Sequence, residues 1–500
     1  MADTSITGKM LNLRLRIATS PANMSRFKST PKTVGARSVA ASTATASSVS
    51  DSRTHLLAPA PPRQAPKVSP RPLLISEADS PNIVASFGFV LYCAFILSGF
   101  ANDWAIRLIG NKVYISTITL VLLPFAWLLS GNAFRGLQLP VGRWWAAFLV
   151  CLLLSTPFSV WKGGSAEMLW NFVPRSYLTF FYICAFATSL RRCRSLMYVN
   201  VAGACILVLT CIKFGGTGGP VDGRFIIPES LFFSNANELG LALLLGVTSF
   251  LFLVYQPGMG MQILGAAGIL LSTIYALKTG SRGCLLAAVA MFGMIFFFSR
   301  NKVKTVIFAL PILGLALLLL PSTTIHRLLL FGTEPGANQA QTTEDISAID
   351  SQLQRRELFK KSLAFTFRHP LLGVGPGQFA VAASGDAAKN GTRSPWLGTH
   401  NSYTQVSSEC GIPAFICYCA VLAFCFRSNW RLYQQSRDNP VLKDVEGLSF
   451  CLLASAMVYA VSTFFFHIAY GASVPMLAGF SLALRLAAEP LLARRTVGSI

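Results

Sequence analysis

Apolar positions in this chain occur in long blocks, not in the short periods of amphipathic helices or strands. From residue 83 onward, apolar blocks of about 20 residues recur, the length that an α-helix needs to cross a bilayer. The pattern predicts an all-α polytopic membrane protein with about twelve transmembrane helices. The predicted spans lie near residues 83–101, 113–131, 144–160, 172–190, 196–212, 236–255, 260–277, 283–299, 305–321, 411–427, 448–466 and 473–488.

Two long polar blocks divide the chain. Residues 1–80 are rich in Ser, Ala, Thr and Pro, are basic with almost no acids, and are predicted to form a disordered cytoplasmic tail attracted to anionic lipids. Residues 322–410 are predicted to form one long loop that contains short helices. Spans one to nine then lie within 81–321, spans ten to twelve within 411–488, and a cytoplasmic C-terminal tail covers 489–500.

Two alternatives to a cytoplasmic tail stay open for the N-terminal block. Its acid-poor, Arg-rich and Ser-rich composition also resembles an organellar transit peptide. A start codon assigned too far upstream, with Met24 as the true start, would account for it equally well.

Composition agrees with a membrane protein and argues against nucleic-acid binding. Hydrophobic residues make up 53% of the chain, charged residues 12%, and the mean hydropathy is +0.54. The net charge of +22 lies largely in the tail and in short loops beside the spans, so topology explains it better than a polyanionic partner does. The twelve cysteines show neither a disulfide framework nor metal-ligand spacing, and we expect no metal and no cofactor.

Basic residues in the short loops set the expected orientation, because such loops are retained on the cytoplasmic side. With both termini inside, the opposite face receives three loops that carry Arg224, Arg282 and His400. We therefore expect these three residues at one membrane face. The basic residues placed inside are Arg135, Arg143, Arg191, Arg192, Arg194, Arg300, Lys302, Lys304, Arg427, Arg431, Arg437, Lys443, Arg494 and Arg495.

Two arginines at one membrane face suit a diphosphate. A guanidinium stays charged at any working pH and presents a rigid fork of donors to phosphate oxygens. Arg282 lies between Gly280 and Gly283, where backbone can approach a headgroup closely. The alternative is that Arg224 and Arg282 only anchor helix ends at the interface.

The long loop carries further candidates. Gly373, Gly375 and Gly377 follow His369 and permit positive φ angles, so this turn either shapes the loop under the site or cradles phosphate through its amides. An amphipathic helix predicted over 354–367 has Arg355 in its first turn, and for this arginine a solvated face is an alternative to a site role. We expect Leu358, Leu363 and Phe367 to face the bundle, and Arg175 to line its cavity because a charge facing lipid is costly.

Four segments, in this order, resemble the O-antigen ligase and polymerase superfamily of bacterial envelope glycan transferases. The resemblance covers about residues 220 to 427 and includes the ligase signature that starts at His400 and runs through Gly411. This signature ends in Gly, Thr or Tyr, whereas the chain has Ala414. The segments are Gly223-Arg224 followed by Phe233–Gly240, Thr279–Gly283, Arg355–Phe359 leading to His369–Gly377, and His400–Tyr403 running to Glu409–Gly411.

The resemblance implies a GT-C-like, metal-independent glycosyltransferase in the bacterial inner membrane, with the long loop 322–410 and the active site on the periplasmic side. By analogy, Arg224 and Arg282 would hold the diphosphate of an undecaprenyl-diphosphate-linked glycan donor, and His400 would be the general base on the acceptor hydroxyl. A structural alternative for His400 is a helix-cap role beside Asn401. The supporting residues by position in the motifs are Asn401, Ser281, Asn237, Arg355, His369, Gly373, Gly375, Glu409 and Gly411.

The sequence leaves the acceptor open. A glycan or a lipid A-core acceptor would make the chain a polysaccharide polymerase or a ligase, and membrane lipids and other envelope-glycan assembly proteins are further expected partners. A protein O-oligosaccharyltransferase of the same superfamily is an alternative. A secondary transporter would also have about twelve spans, but many transporters contain two similar halves, which this sequence does not show. A non-catalytic scaffold gives no reason for the arginines and the histidine to converge.

Overall fold

The computed structural model describes residues 82–110, 115–217, 224–230, 233–299, 301–320, 324–325, 343–393, 396–437 and 439–497. The tail predicted over residues 1–80 lies outside the described residues. The helices are α1 (Ile83–Ile109), α2 (Ile115–Leu129), α3 (Pro140–Ser155), α4 (Lys162–Phe172), α5 (Thr179–Phe186), α6 (Leu190–Phe214), α7 (Ala236–Val254), α8 (Met259–Lys278), α9 (Arg282–Phe298), α10 (Lys302–Leu318), α11 (Thr343–Arg368), α12 (Phe379–Lys389), α13 (Ser402–Ser436), α14 (Lys443–Ser462) and α15 (Ser473–Val497).

Short elements link these helices. Among the described residues, three 3₁₀ helices cover Arg135–Leu137, Thr156–Phe158 and Pro440–Leu442, and a π-helix covers Val173–Tyr177. Two strands, β1 (Gly216–Thr217) and β2 (Phe225–Ile226), pair antiparallel between α6 and α7. The described chain is therefore almost wholly helical.

The helices confirm an all-α polytopic membrane protein. Eight helices of the described residues are long and apolar enough to cross a bilayer, namely α1, α3 together with the 3₁₀ helix that follows it, α6, α7, α8, α13, α14 and α15. Three shorter apolar helices cover Ile115–Leu129, Arg282–Phe298 and Thr305–Leu315. Each of the twelve predicted spans contains a helix. The predicted span at 172–190 holds only the π-helix and the eight-residue α5, whose side chains are all buried in the bundle.

Helix α13 is the central element of the bundle. It packs against α3, α11, α14 and α15. It begins at Ser402, earlier than the predicted span at 411–427, because the Asn401 side chain caps its first turn. Gly411, with φ 83° and ψ 174°, then breaks the helical geometry, so the first turns of α13 are tilted away from the rest by a kink.

Helix α11 is longer than the helix predicted over 354–367, and a different apolar stripe faces inward. Leu358 is 3% exposed and Phe365 is 5% exposed, and both pack with Val374 and Phe379. Phe367 is 74% exposed, so the prediction that it faces the bundle is wrong. Phe365 lies seven residues after Leu358, which is two helical turns and hence the same face.

Candidate active site

The loop that carries Arg224 and the turn that precedes Arg282 are joined by hydrogen bonds. Arg224 Nε donates to the carbonyl of Thr279 at 3.0 Å, and Arg224 Nη2 donates to Asn237 Oδ1 at 2.9 Å. The same Asn237 oxygen accepts from Ser281 Oγ at 2.8 Å. Ser281 is the N-cap of α9, so Arg282 starts the helix directly beside this network. Asn237 thus ties the two loops together.

His400 precedes α13 and lies against the turn that follows α14. Asn401 caps α13 by accepting from the amides of Tyr403 and Thr404, and its Nδ2 donates to the carbonyl of Phe464 at 3.2 Å. The helix cap is therefore Asn401 and not His400. His400 itself has φ 51°, a left-handed conformation that is uncommon outside glycine and that concentrates at functional sites.

A cavity of about 640 Å³ opens at this end of the bundle. Its lining is mostly apolar, with two arginines and one histidine among the side chains. A Cβ at Gly283 would lie 2.6 Å from Cβ of Phe465, which shows that the start of α9 packs directly on the cavity wall. The lining residues are Leu286, Arg355, Arg356, Phe359, Thr399, His400, Asn401, Val461, Phe464 and Phe465.

Helix α11 covers this end and brings positive charge to it. Gln352 Oε1 accepts from Arg282 Nη1 at 2.7 Å, and one turn later half-buried Arg355 lines the cavity. The solvated alternative for Arg355 is therefore not the arrangement found. Arg224 and Arg282 flank the cavity rather than contribute to the lining found among the described residues.

The surroundings of His400 keep its imidazole neutral. Burial, then the neighbouring His467, then the charges of Arg355 and Arg224 lower the pKa of His400 to about 4. Because this pKa lies below neutrality, the ring is uncharged at pH 7 and has a lone pair that can accept a proton. The charges of Arg355 and Arg224 therefore both act on His400, and Arg355 shares its cavity.

The glycine-rich turn is a structural element beside the site. Gly373, Gly375 and Gly377 have φ angles of 64°, 109° and 74°, so the predicted positive φ values are found. The amides of Gly373 and Gly375 donate to the carbonyls of His369 and Glu409, and the amide of Gly377 donates to Glu409 Oε2. These three amides already have protein acceptors, which favours a loop-shaping role over a phosphate cradle.

Glu409 holds this turn in place. Its buried carboxylate accepts from the amides of Gly377 and Phe379 and from Tyr470 Oη at 2.8 Å. A Cβ at Gly411 would lie 2.3 Å from the carbonyl oxygen of Leu371, so the kink of α13 packs directly on the turn. His369 is exposed at the start of the turn.

One residue lies elsewhere than the sequence predicts, and a second lies in the site although the sequence gives it no role. Arg175, expected in the cavity, is exposed on the π-helix and is not among the lining residues of the described chain, because it is Tyr177 and not Arg175 that this short helix buries. His467, for which the sequence offers no motif, packs against His400 with ring centroids 5.2 Å apart. This contact joins segments that are distant in the chain, and no local pattern could have revealed it.

Part of the chain matches a known family. Residues 267–419 match the family model described as O-antigen ligase, and this segment contains Arg282, Arg355 and His400. The match confirms the resemblance to the O-antigen ligase and polymerase superfamily over that segment, and it supports a multi-pass membrane protein that transfers glycan. No curated protein matches the chain.

Proposed function

We propose that this protein transfers a glycan from a polyprenyl-diphosphate carrier, undecaprenyl diphosphate in bacteria, to a hydroxyl of an acceptor glycan. The reaction takes place at the periplasmic face of the inner membrane. The observation that carries the proposal is the cavity that both neutral His400 and Arg355 line, with the charge of Arg224 acting on His400. A base and a cluster of guanidinium groups are what glycosyl transfer from a diphosphate requires.

In the proposed reaction, His400 and the arginines have different roles. Nε2 of His400 accepts the proton of the acceptor hydroxyl while that oxygen forms a bond to the anomeric carbon of the donor sugar. The bond between this carbon and the diphosphate oxygen breaks, and the electron pair stays on the diphosphate. Arg224, Arg282 and Arg355 stabilise the negative charge that develops there. The apolar wall formed by Leu286, Phe359 and Phe465 suits the first isoprenyl units of the carrier.

A reconstituted transfer assay tests the function. The purified chain in liposomes, given a polyprenyl-diphosphate-linked oligosaccharide, should consume donor and release the carrier diphosphate. Longer glycans formed from donor alone would identify a polymerase, whereas product only on added lipid A-core would identify a ligase. We expect EDTA to leave the rate unchanged. Donor that stays intact with every glycan acceptor would contradict the proposal, and product only on an added protein would favour the protein glycosylation alternative.

The proposed topology can be tested separately from activity. In a cysteine-depleted background, single cysteines at Thr217, Lys278 and Thr392, near the three loops, should react with an impermeant thiol reagent from the periplasmic side. All three positions are exposed or partly exposed. A cysteine at exposed Gln434, at the opposite end of α13, is the matched control and should react only after permeabilisation. Labelling of one loop position only after permeabilisation would break the shared-face assignment.

A further inference from the structure

His467 lies between α14 and α15, directly beside His400. The two ring planes meet at 78°, an edge-to-face arrangement with centroids 5.2 Å apart. A Cβ at Gly398 would lie 2.4 Å from Nε2 of His467, so the segment that leads to His400 passes closely over the His467 ring. His467 therefore contacts both the side chain of His400 and the backbone that carries it.

The backbone on either side of His467 is fixed to the first turn of α13. Ser402 Oγ donates to the carbonyl of Phe466 at 2.9 Å and accepts from the amide of Ile468 at 2.8 Å. Gln405 Oε1 accepts from the amide of Ala469 at 3.1 Å. Because Ser402 follows His400 by two positions, these bonds fix the backbone of the two segments and keep the two imidazoles side by side, while each ring can still turn about its own side-chain bonds.

Both rings have a buried nitrogen that lacks a hydrogen-bond partner. Nδ1 of His400 and Nδ1 of His467 are buried and make no hydrogen bond within the described part of the chain. Such groups are rare in folded proteins and each requires a cause, of which a catalytic role is one. Since Nδ1 of His400 is buried, Nε2 is the nitrogen that this ring can present to the cavity.

We propose that His467 is a positioning residue for the transfer reaction, and that it accepts a hydrogen bond from Nδ1–H of His400 when His400 becomes an imidazolium. This inference rests on the proposed function of His400. In the resting state the proton of His400 is on Nδ1 and its Nε2 lone pair faces the hydroxyl of the acceptor glycan. The proton of that hydroxyl moves to Nε2, and Nδ1–H of His400 donates to the Nδ1 lone pair of His467. The added proton later passes from Nε2 to solvent.

The charges around His400 explain why such a partner is useful. Arg355 and Arg224 act on His400 and Arg356 shares its cavity, so a positive ring at this place is disfavoured until the donor diphosphate offsets the arginines. A charged His467 would add to this repulsion, as its effect on the pKa of His400 shows, but burial lowers the pKa of His467 and so disfavours its charged form. A neutral acceptor at Nδ1 stabilises the imidazolium without requiring a second charge.

Two variants of matched shape test the proposal. Asparagine places an amide oxygen near the position of the histidine Nδ1, whereas leucine has a similar branched shape and no acceptor. His467→Leu should lower kcat about 10- to 100-fold, as expected for a lost hydrogen bond to a charged group. The KM for the donor should not change. The imidazolium of His400 loses stabilisation, which lowers the pKa of His400, so the acid limb of the plot of kcat against pH should move to lower pH. His467→Asn should keep most of the activity, and its acid limb should lie at the same pH as in the wild type.

A second background separates this proposal from the role of His400 itself. If His467 acts through His400, His467→Leu should cause no further loss in the His400→Ala protein. Equal activity of the leucine variant and wild type, or equal loss in the asparagine and leucine variants, would overturn the proposal for His467 alone. Wild-type transfer by His400→Ala would instead overturn the proposed base. Should the leucine variant fail to fold, His467→Phe takes its place, because phenylalanine keeps the ring contact but has no hydrogen-bond acceptor. The results expected for the phenylalanine variant are the same as those for His467→Leu.

Discussion

Replacing His400 with alanine should lower the rate of glycan transfer by about 10² to 10⁴ fold, the usual cost of losing a general base. The imidazole is neutral at pH 7 because its pKa is about 4, and it lines the cavity, so it is the group placed to accept the acceptor proton. Transfer by purified protein in liposomes, with folding checked by gel filtration, measures the effect.

Two controls make this result specific. His400 has φ 51°, which asparagine tolerates better than alanine, so His400→Asn removes the base with less backbone strain and should be equally inactive. His369→Ala removes an exposed histidine at the glycine-rich turn and should cost much less. A wild-type rate for His400→Ala together with an inactive His369→Ala would reverse the assignment of the two histidines.

The sequence was sufficient to predict most of the bundle, because a bilayer span is a local property of composition. The convergence of Arg224 and His400 also followed from the sequence, since loops that alternate in basic content must alternate between the two faces. The hydrogen bond from Arg224 to Thr279 and the effect of Arg224 on His400 agree with that convergence. Which face of the membrane holds this end of the bundle stays a prediction.

The contacts between side chains near the site could not be predicted from the sequence. Helix α11 has apolar residues at Leu358, Leu363, Phe365 and Phe367, and more than one stripe through them has helical spacing. Only packing against Val374 and Phe379 selects Phe365 over Phe367. The pairing of His467 with His400 likewise depends on contacts between distant segments, which leave no periodic signal in one sequence.

Buried polar groups explain why the motif residues are spread over so many elements. Asn237 links the loop of Arg224 to Ser281, Asn401 links the start of α13 to the end of α14, and Glu409 links the kink of α13 to the glycine-rich turn. None of these three side chains has to touch substrate in order to matter. Each fixes the position of a loop that carries or adjoins one of the proposed site residues.

Replacing Arg224 or Arg282 with lysine should lower kcat/KM for the donor about 10² to 10³ fold, the loss seen when one group that stabilises a developing negative charge is removed. Lysine keeps the charge but has a single nitrogen. It cannot donate to the Thr279 carbonyl and to Asn237 Oδ1 and also approach a phosphate, as the guanidinium of Arg224 can. Arg282 has the same requirement through its bond to Gln352.

Arg143→Lys is the matched control for these variants, because Arg143 is exposed in the first turn of α3, at the end that is predicted to lie at the opposite face. It should leave kcat/KM unchanged.

Asn237→Ala should reproduce part of the loss expected for Arg224→Lys. It removes the hydrogen-bond acceptor that orients Arg224, while the guanidinium group of Arg224 and its charge both stay. Lysine variants that transfer glycan at the wild-type rate would return Arg224 and Arg282 to the role of helix-end anchors. In that case Arg355 and Arg356, which line the cavity, would be the remaining cations for the diphosphate, and Arg355→Lys should then show the loss instead.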